Sequence, residues 1–243
     1  MRMRTRPLLA ELHAHTTWSD GKLSLRELVD LHGRQGFDVL CVTDHIVRSD
    51  DPWRAEWNGR ALGVTRQSFD EYLCEIDHEA ERARERYGML VIPGAELTYN
   101  DLDPARAAHA VAVGLHAFVS VDEGIGGAMD TASLAGAAIL AAHPFPAEPG
   151  APHARLTQRF ACDPAVRGLA HRFELFNRTT LFGWVAEAGL PTVACGDVHV
   201  ADHVAGWKTL LPCGQEEESV VAYLRSKRPT YLARLEPVTA AAA

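Results

Sequence analysis

Lysine is nearly absent: Lys22, Lys208 and Lys227 are the only three in 243 residues, against 21 arginines. Acids outnumber bases and the formal net charge is −8, which argues against a chain that grips long nucleic acid through a broad basic face. One local pocket can still oppose that average and hold a small phosphorylated ligand. No apolar run approaches the roughly 20 residues that span a bilayer; the longest candidate, Leu134 to Ala142, is too short and rich in Ala and Gly. The basic start, Met1 to Pro7, passes through Leu8-Leu9-Ala10 straight into Glu11 and His13, without the ~7–15-residue apolar stretch of a secretory signal. These features predict a cytoplasmic protein with no membrane partner. The cysteines, Cys41, Cys74, Cys162, Cys195 and Cys213, are odd in number, far apart and without a CxxC pair. Neither a disulfide framework nor a thiolate zinc site follows from them, and Cys41 and Cys195 read as core residues. A Gly-rich phosphate fingerprint, an internal repeat and a linker are also lacking.

What is present is ordinary globular composition, with 47% hydrophobic and 23% charged residues. The length suits one barrel domain of roughly 250 residues. The expectation is a single domain over 1–243, with frayed ends at 1–6 and 237–243. Short apolar runs alternate with helical patterns. Leu8 to Leu12, Asp38 to Thr43, Met89 to Ile92, His109 to Val113, Ala138 to Ala141, Arg172 to Phe176, Thr192 to Cys195 and Thr230 to Leu232 read as strands. Ser24/Glu27 and Ser68/Glu71 read as capping boxes that open helices, with Gly36 and Gly88 as their stops. Asp163-Pro164 starts a short helix, and further helices are expected over Leu181 to Ala188 and Glu216 to Lys227. Continuously apolar strands in βα order imply a parallel sheet covered by helices, and at least seven of them favour a barrel over an open sheet. Pro144 to Pro152 reads as a long loop.

Histidine is the informative excess, at 12 residues. His13-Ala14-His15 follows the first strand, and two residues apart on an extended chain both imidazoles leave on one face. The second strand ends in Asp44-His45, the third leads into Glu96, and another begins at His109. Later strands end in His143 and in Asp197-Val198-His199. Parallel barrels bring the C-terminal strand ends to one mouth. His13, His15, His45, Glu96, His143, Asp197 and His199 should therefore cluster. Imidazole and carboxylate without thiolate suit Zn, Mn or Fe. The ligands exceed the need of one ion, so two or three divalent metal ions are expected, and Glu96 has the two oxygens a bridge requires.

The motifs His13-Ala14-His15-Thr16-Thr17-Trp18-Ser19-Asp20-Gly21, Thr43-Asp44-His45, Gly94-Ala95-Glu96, His109-Ala110-Val111, Ala142-His143-Pro144-Phe145 and Gly196-Asp197-Val198-His199, in this order, resemble the PHP family, the polymerase and histidinol phosphatase superfamily. The resemblance covers about residues 8 to 200. It implies a distorted (β/α)7 TIM-like barrel and a trinuclear centre at which a metal-bound hydroxide hydrolyses a phosphate ester, most simply a monoester. Carried over residue by residue, it assigns His13, His15, Glu96 and Asp197 to a first metal, Glu96, His109 and His143 to a second, and Asp20, His45 and His199 to a third. Asp20, His45, Glu96, Asp197 and His199 are the residues it implicates in catalysis. His116 is the alternative to His109, but it stands at the far end of that strand. Asp44 is expected to support a neighbouring imidazole, Glu174 to play a structural or supporting part, and His203 to stand near the Asp197–His199 loop. His32, His78 and His171 are expected in packing or surface roles.

Arg48, Arg178 and Lys208 flank strand ends and are the candidates for holding the phosphate of a small substrate. Ile46 to Arg66, with Arg48, Trp53, Arg54, Trp57 and Arg60, lacks helical or strand period and is expected to cap the mouth. An amidohydrolase also begins its barrel with His-x-His but commonly bridges its metals with a carboxylated mid-barrel lysine, and no lysine lies between Lys22 and Lys208. The alternative from another class is a non-catalytic metal-binding module acting through a protein partner. Degeneration normally loses ligands, and this set is complete. Histidinol phosphate, a nucleotide phosphate and a short oligonucleotide end all stay open as substrates, and no oligomeric state follows from the sequence.

Overall fold

The computed structural model describes residues 6–53, 63–147 and 157–236. Strands β1 (Leu8–Glu11), β2 (Val39–Val42), β3 (His45–Val47), β4 (Leu90–Tyr99), β5 (Ala108–Val113) and β6 (Ala138–Ala142) alternate with helices α1 (Leu25–Arg34), α2 (Phe69–Tyr87) and α3 (Ile125–Leu134). There follow α4 (Arg159–Cys162), α5 (Pro164–Arg167), β7 (Arg172–Asn177), β8 (Thr180–Leu181), α6 (Gly183–Glu187), β9 (Thr192–Cys195), β10 (Gly206–Leu211), α7 (Glu217–Arg225) and β11 (Tyr231–Leu235). The strands join in one curled mixed sheet of order β11-β10-β1-β2-β4-β5-β6-β7-β8, with β3 also on β4 and β9 on β7.

The central strands β2, β5 and β6 are buried on both faces, which is why they read as unbroken apolar runs. Val39 and Cys41 of β2 join one core with Leu140 of β6, Val193 and Cys195. Their neighbours Leu40, Val42 and Ile139 join the other, under α1, α2 and α3. Helix α7 packs Val220, Tyr223 and Leu224 onto the first. The Ser24 capping box forms as expected, and Gly36 turns the chain out of α1 with φ +78°. The Ser68 box does not: Ser68 has helical backbone, and its hydroxyl instead pairs with Thr65 one turn earlier.

An all-parallel barrel is not what forms. β5 runs antiparallel to both β4 and β6, and β10 and β11 are antiparallel additions beside β1. Beyond β1 and β9 the chain ends meet in a bridge between Ala14 and Val198, where the His15 N–H donates to Val198 O and the Val198 N–H to His13 O. Strands β3, β8 and β10 and helices α3 and α4 were not expected, and the helix anticipated from Leu181 begins at Gly183. β3 takes Ile46 and Val47 out of the segment expected to lack strand structure. Of that segment Arg54, Trp57 and Arg60 lie outside the described residues, as does His153. No helix among the described residues is long and apolar enough to cross a membrane.

Candidate metal centre

His13 and His15 follow β1 in extended chain and are completely buried. His45 opens β3 opposite Glu96 on β4. His143 directly follows β6, and Asp197 and His199 follow β9. His109 stands at the start of its strand, yet the reversal of β5 sets it opposite Thr98 on β4 and Ala142 on β6, at the same end of the sheet. Asp20 comes from the loop after β1. That loop folds back at Gly21, where a Cβ would lie 2.5 Å from the carbonyl oxygen of His15. Three left-handed residues that are not glycine, His143, Arg178 and Asp197, all stand at this end. Such strain persists where surrounding contacts over-determine the backbone, and it concentrates at functional sites.

The side chains converge in three groups whose ligand atoms lie within 4.8 Å of one another: His13, His15 and Asp197; Glu96, His109 and His143; and His15, Asp20, His45 and His199. Glu96 links them. Its Oε2 is 3.4 Å from Nε2 of both His13 and His15 and 2.8 Å from His45 Nδ1, and its Oε1 is 3.0 Å from His109 Nδ1 and 3.2 Å from His143 Nε2. Asp197 Oδ1 lies 3.7 and 3.5 Å from Nε2 of His13 and His15, and Asp20 Oδ1 lies 3.5 and 3.1 Å from Nε2 of His45 and His199.

Each of the six imidazoles has its outer nitrogen on an acceptor. His13 Nδ1 donates to Glu174 at 2.8 Å, His199 Nδ1 to the Asp197 carbonyl at 3.0 Å, and His109 Nε2 to Asn100 Oδ1 at 2.9 Å. His45, His15 and His143 set Nδ1 against the hydroxyls of Thr98, Ser19 and Thr157 at 2.7, 3.4 and 3.4 Å. Those hydroxyls spend their own protons on Glu96 O, Asp44 and His143 O, so they can only accept from the rings. With the outer nitrogen donating, the inner nitrogen of each ring is the one that can bind a cation once its proton is displaced. His13 Nε2, His15 Nε2, Asp20 Oδ1 and Glu96 Oε2 are buried without a hydrogen-bond partner. Buried polar atoms are rarely left so, and cations held by these groups would satisfy them. The residues therefore fit divalent metal ions.

Charge agrees with this arrangement. Burial works against ionised Glu96 and Asp197, but the surrounding imidazoles outweigh it and hold both well below the usual carboxylate range. Burial, with the neighbouring His199 and His45, lowers His15 to about 3. For His13 and His45 burial is overcome by the facing carboxylates, Glu96 foremost, and both are raised.

Around the ligands stands a supporting layer that the motifs only partly revealed. Glu174, fully buried, orients His13 and also accepts from the His143 and Asn177 amides. Asp44 does not meet an imidazole directly. It accepts from the Thr16 N–H, the Thr16 hydroxyl and the Ser19 hydroxyl, and so shapes the loop that carries Asp20. His203 Nδ1 accepts from the His199 N–H. Asn100, unremarked in the sequence, was detectable only as a polar residue just beyond a strand end.

The candidate phosphate contacts fare differently. Arg178 spans the Gly196 and Asp197 carbonyls and reaches Asp197 Oδ2 at 3.1 Å, with a third of its side chain exposed. Arg48 is engaged by Asp50 and by the carbonyl of Asn100, over the Tyr99 ring. Lys208 is not at the surface of the mouth: it is fully buried against Glu11, so the expected phosphate contact is not retained. His116 is exposed and pairs with Glu217 at the other end of β5. His78 is exposed on α2, whereas His32 is buried with Nδ1 on the Leu28 carbonyl. His171 accepts from the Ile139 N–H.

Comparison with known proteins places this geometry. Residues 11–146 match the PHP domain, more than half of the chain. DNA polymerase/3'-5' exonuclease PolX of Bacillus subtilis is 31% identical over 96 residues, covering 37% of this chain and 15% of the polymerase. The match thus spans a minor part of that relative. A crystal structure from Bacteroides vulgatus, described as a two-domain protein containing a predicted PHP-like metal-dependent phosphoesterase, superposes with a TM-score of 0.64. It is 20% identical, and the match covers 96% of this chain and 69% of that one, which shows a shared fold.

Proposed function

The chain belongs to the PHP domain family, and from that premise we propose that it is a metal-dependent phosphoesterase that hydrolyses a phosphate monoester of a small molecule or nucleotide. The observation that carries the reading is the set of six imidazoles, each held by a hydrogen bond at one nitrogen with its other nitrogen turned toward Glu96, Asp197 or Asp20. His13, His15, Glu96 and Asp197 would hold one divalent ion, Glu96, His109 and His143 a second, and Asp20, His45 and His199 a third. Bound there, such ions supply an activated water and neutralise charge on the phosphoryl oxygens, so no protein nucleophile is needed. Burial raises the Cys41 and Cys195 thiols, the reverse of what a nucleophile would need.

The protein's own groups divide the remaining work. His13 and His15 are sealed, whereas the side chains of Asp20 and His199 are 30% and 21% exposed. The ester therefore enters over Asp20 and His199. Arg178 holds Asp197 in its left-handed backbone and offers a cationic edge to the phosphate.

Phosphate release from an aryl phosphate, measured with Mn, Fe or Zn added, tests the activity, and a panel of phosphorylated metabolites then ranks substrates. Metal-stimulated turnover that chelator abolishes is expected. Tight metal uptake with no hydrolysis across the panel would overturn the enzymatic reading in favour of a non-catalytic metal module.

A further inference from the structure

Beneath the centre lies an ion pair that the ligand motifs do not contain. Glu11 ends β1 and Lys208 lies on β10, each one residue beyond the paired Ala10 and Thr209. Both side chains are completely buried, with Nζ 3.0 Å from Oε2. A buried pair of this kind seldom gains stability over apolar residues of the same size, because desolvation offsets the attraction. Its position is the informative feature. Glu11 Oε1 accepts from the N–H groups of Leu12, His13 and Gly196 at 3.1, 3.2 and 2.7 Å. One carboxylate oxygen thus fastens the backbone beside His13 and His15 to the backbone beside Asp197. A Cβ on Gly196 would lie 2.3 Å from Glu11 Oε2 and 2.5 Å from Lys208 Nζ, so the pair packs directly under the residue before Asp197. From the other side Arg178 binds the Gly196 and Asp197 carbonyls, and Asp197 is held at φ +46° between the two clamps.

We infer that Glu11, with Lys208 as its counter-ion, is a positioning residue of the metal centre, setting the separation of His13 and His15 from Asp197. The inference rests on the metal-centre reading above. Lys208 is the group that lets a charged acceptor stand in this apolar interior, and β1 and β9, which are not paired along their lengths, come into register around that acceptor.

Two neutral double variants separate the acceptor from the charge. Glu11→Gln with Lys208→Met keeps an oxygen for the three N–H groups; Glu11→Leu with Lys208→Met removes it. Affinity for Mn or Zn is read by competition with a chromophoric chelator, with far-UV circular dichroism as the check on folding. The glutamine variant should bind within about threefold of wild type. The leucine variant should bind at least tenfold more weakly, in the range typical of lost outer support to metal ligands, about 10–100-fold. Equal affinities in the two variants, or a tenfold loss in the glutamine variant, would overturn the inference. A wild type that takes up no metal would instead defeat the underlying metal reading. Should the leucine variant not fold, amide exchange of the metal-free wild type decides. The His13 and Gly196 amide protons should exchange far more slowly than those of exposed loops, and exchange at loop rates would reject the pinning.

Discussion

Asn100 and His109 meet through Oδ1 and Nε2 at 2.9 Å, and this contact turns the other nitrogen of the imidazole, Nδ1, to the centre. His109 Nδ1 lies 3.0 Å from Glu96 Oε1; His45 also sets Nδ1 against Glu96, at 2.8 Å from Oε2, but turns its Nε2 inward to Asp20. Asn100 is itself held, its Nδ2 donating to the buried Asp51 at 2.8 Å. Asn100→Ala should weaken metal binding at the Glu96–His109–His143 group by about 10–100-fold, the usual cost of losing such a partner. Asn100→Asp should retain most of the affinity, because it keeps an acceptor for the Nε2 proton. Metal titration of both variants checks this, and equal losses would refute the orienting role.

Removing Glu96 should cost more than removing any other ligand. It stands in reach of His13, His15, His109 and His143, so Glu96→Ala is expected to lower occupancy by two ions per chain. His78→Ala, on the exposed face of α2, should lower it by none. Elemental analysis of protein purified without chelator measures both, and loss of a single ion from Glu96→Ala would exclude the bridge.

Asp20→Ala and His199→Ala should leave the fold intact, since both side chains are partly exposed and outside the two cores. Each should lower kcat/KM for an aryl phosphate by at least about 100-fold, or about 3 kcal/mol. Unchanged far-UV circular dichroism with that loss is the expected pair of results. Wild-type turnover under limiting metal would remove the third site from the scheme.

Metal binding should release protons. Burial opposes protonation of His13, His45, His143 and His199, yet the facing carboxylates prevail and raise all four in the metal-free protein. His15, lowered to about 3, is already neutral and releases none. A cation must displace the protons on the raised group, so affinity should climb as pH rises from 6 to 8, by about tenfold for each proton released per pH unit. Calorimetry in buffers of different ionisation enthalpy counts those protons. Affinity independent of pH would contradict the charge arrangement.

The ligand set was legible in the sequence because it depends on local features. Strand ends are marked by the passage from an apolar run to a polar residue, and period two puts His13 and His15 on one face. Asp20 was not legible that way: it stands in an irregular loop and entered only through the family resemblance. The βα order and the helix caps at Ser24 and Asp163 were likewise short-range facts. Strand direction was not. Nothing within β5 records that it runs antiparallel, and only the pairing of Thr98 with His109 brings a strand-opening histidine to the end where other strands finish. Lys208 shows the same limit. A lysine near a predicted strand reads as a surface cation, until a carboxylate distant in sequence is found waiting for it in the interior. Side-chain chemistry and local period are written in adjacent residues, and these determined which groups are available. Register, direction and burial come from pairings between residues far apart in the chain, and these decided which groups meet, through which nitrogen, and what holds them there.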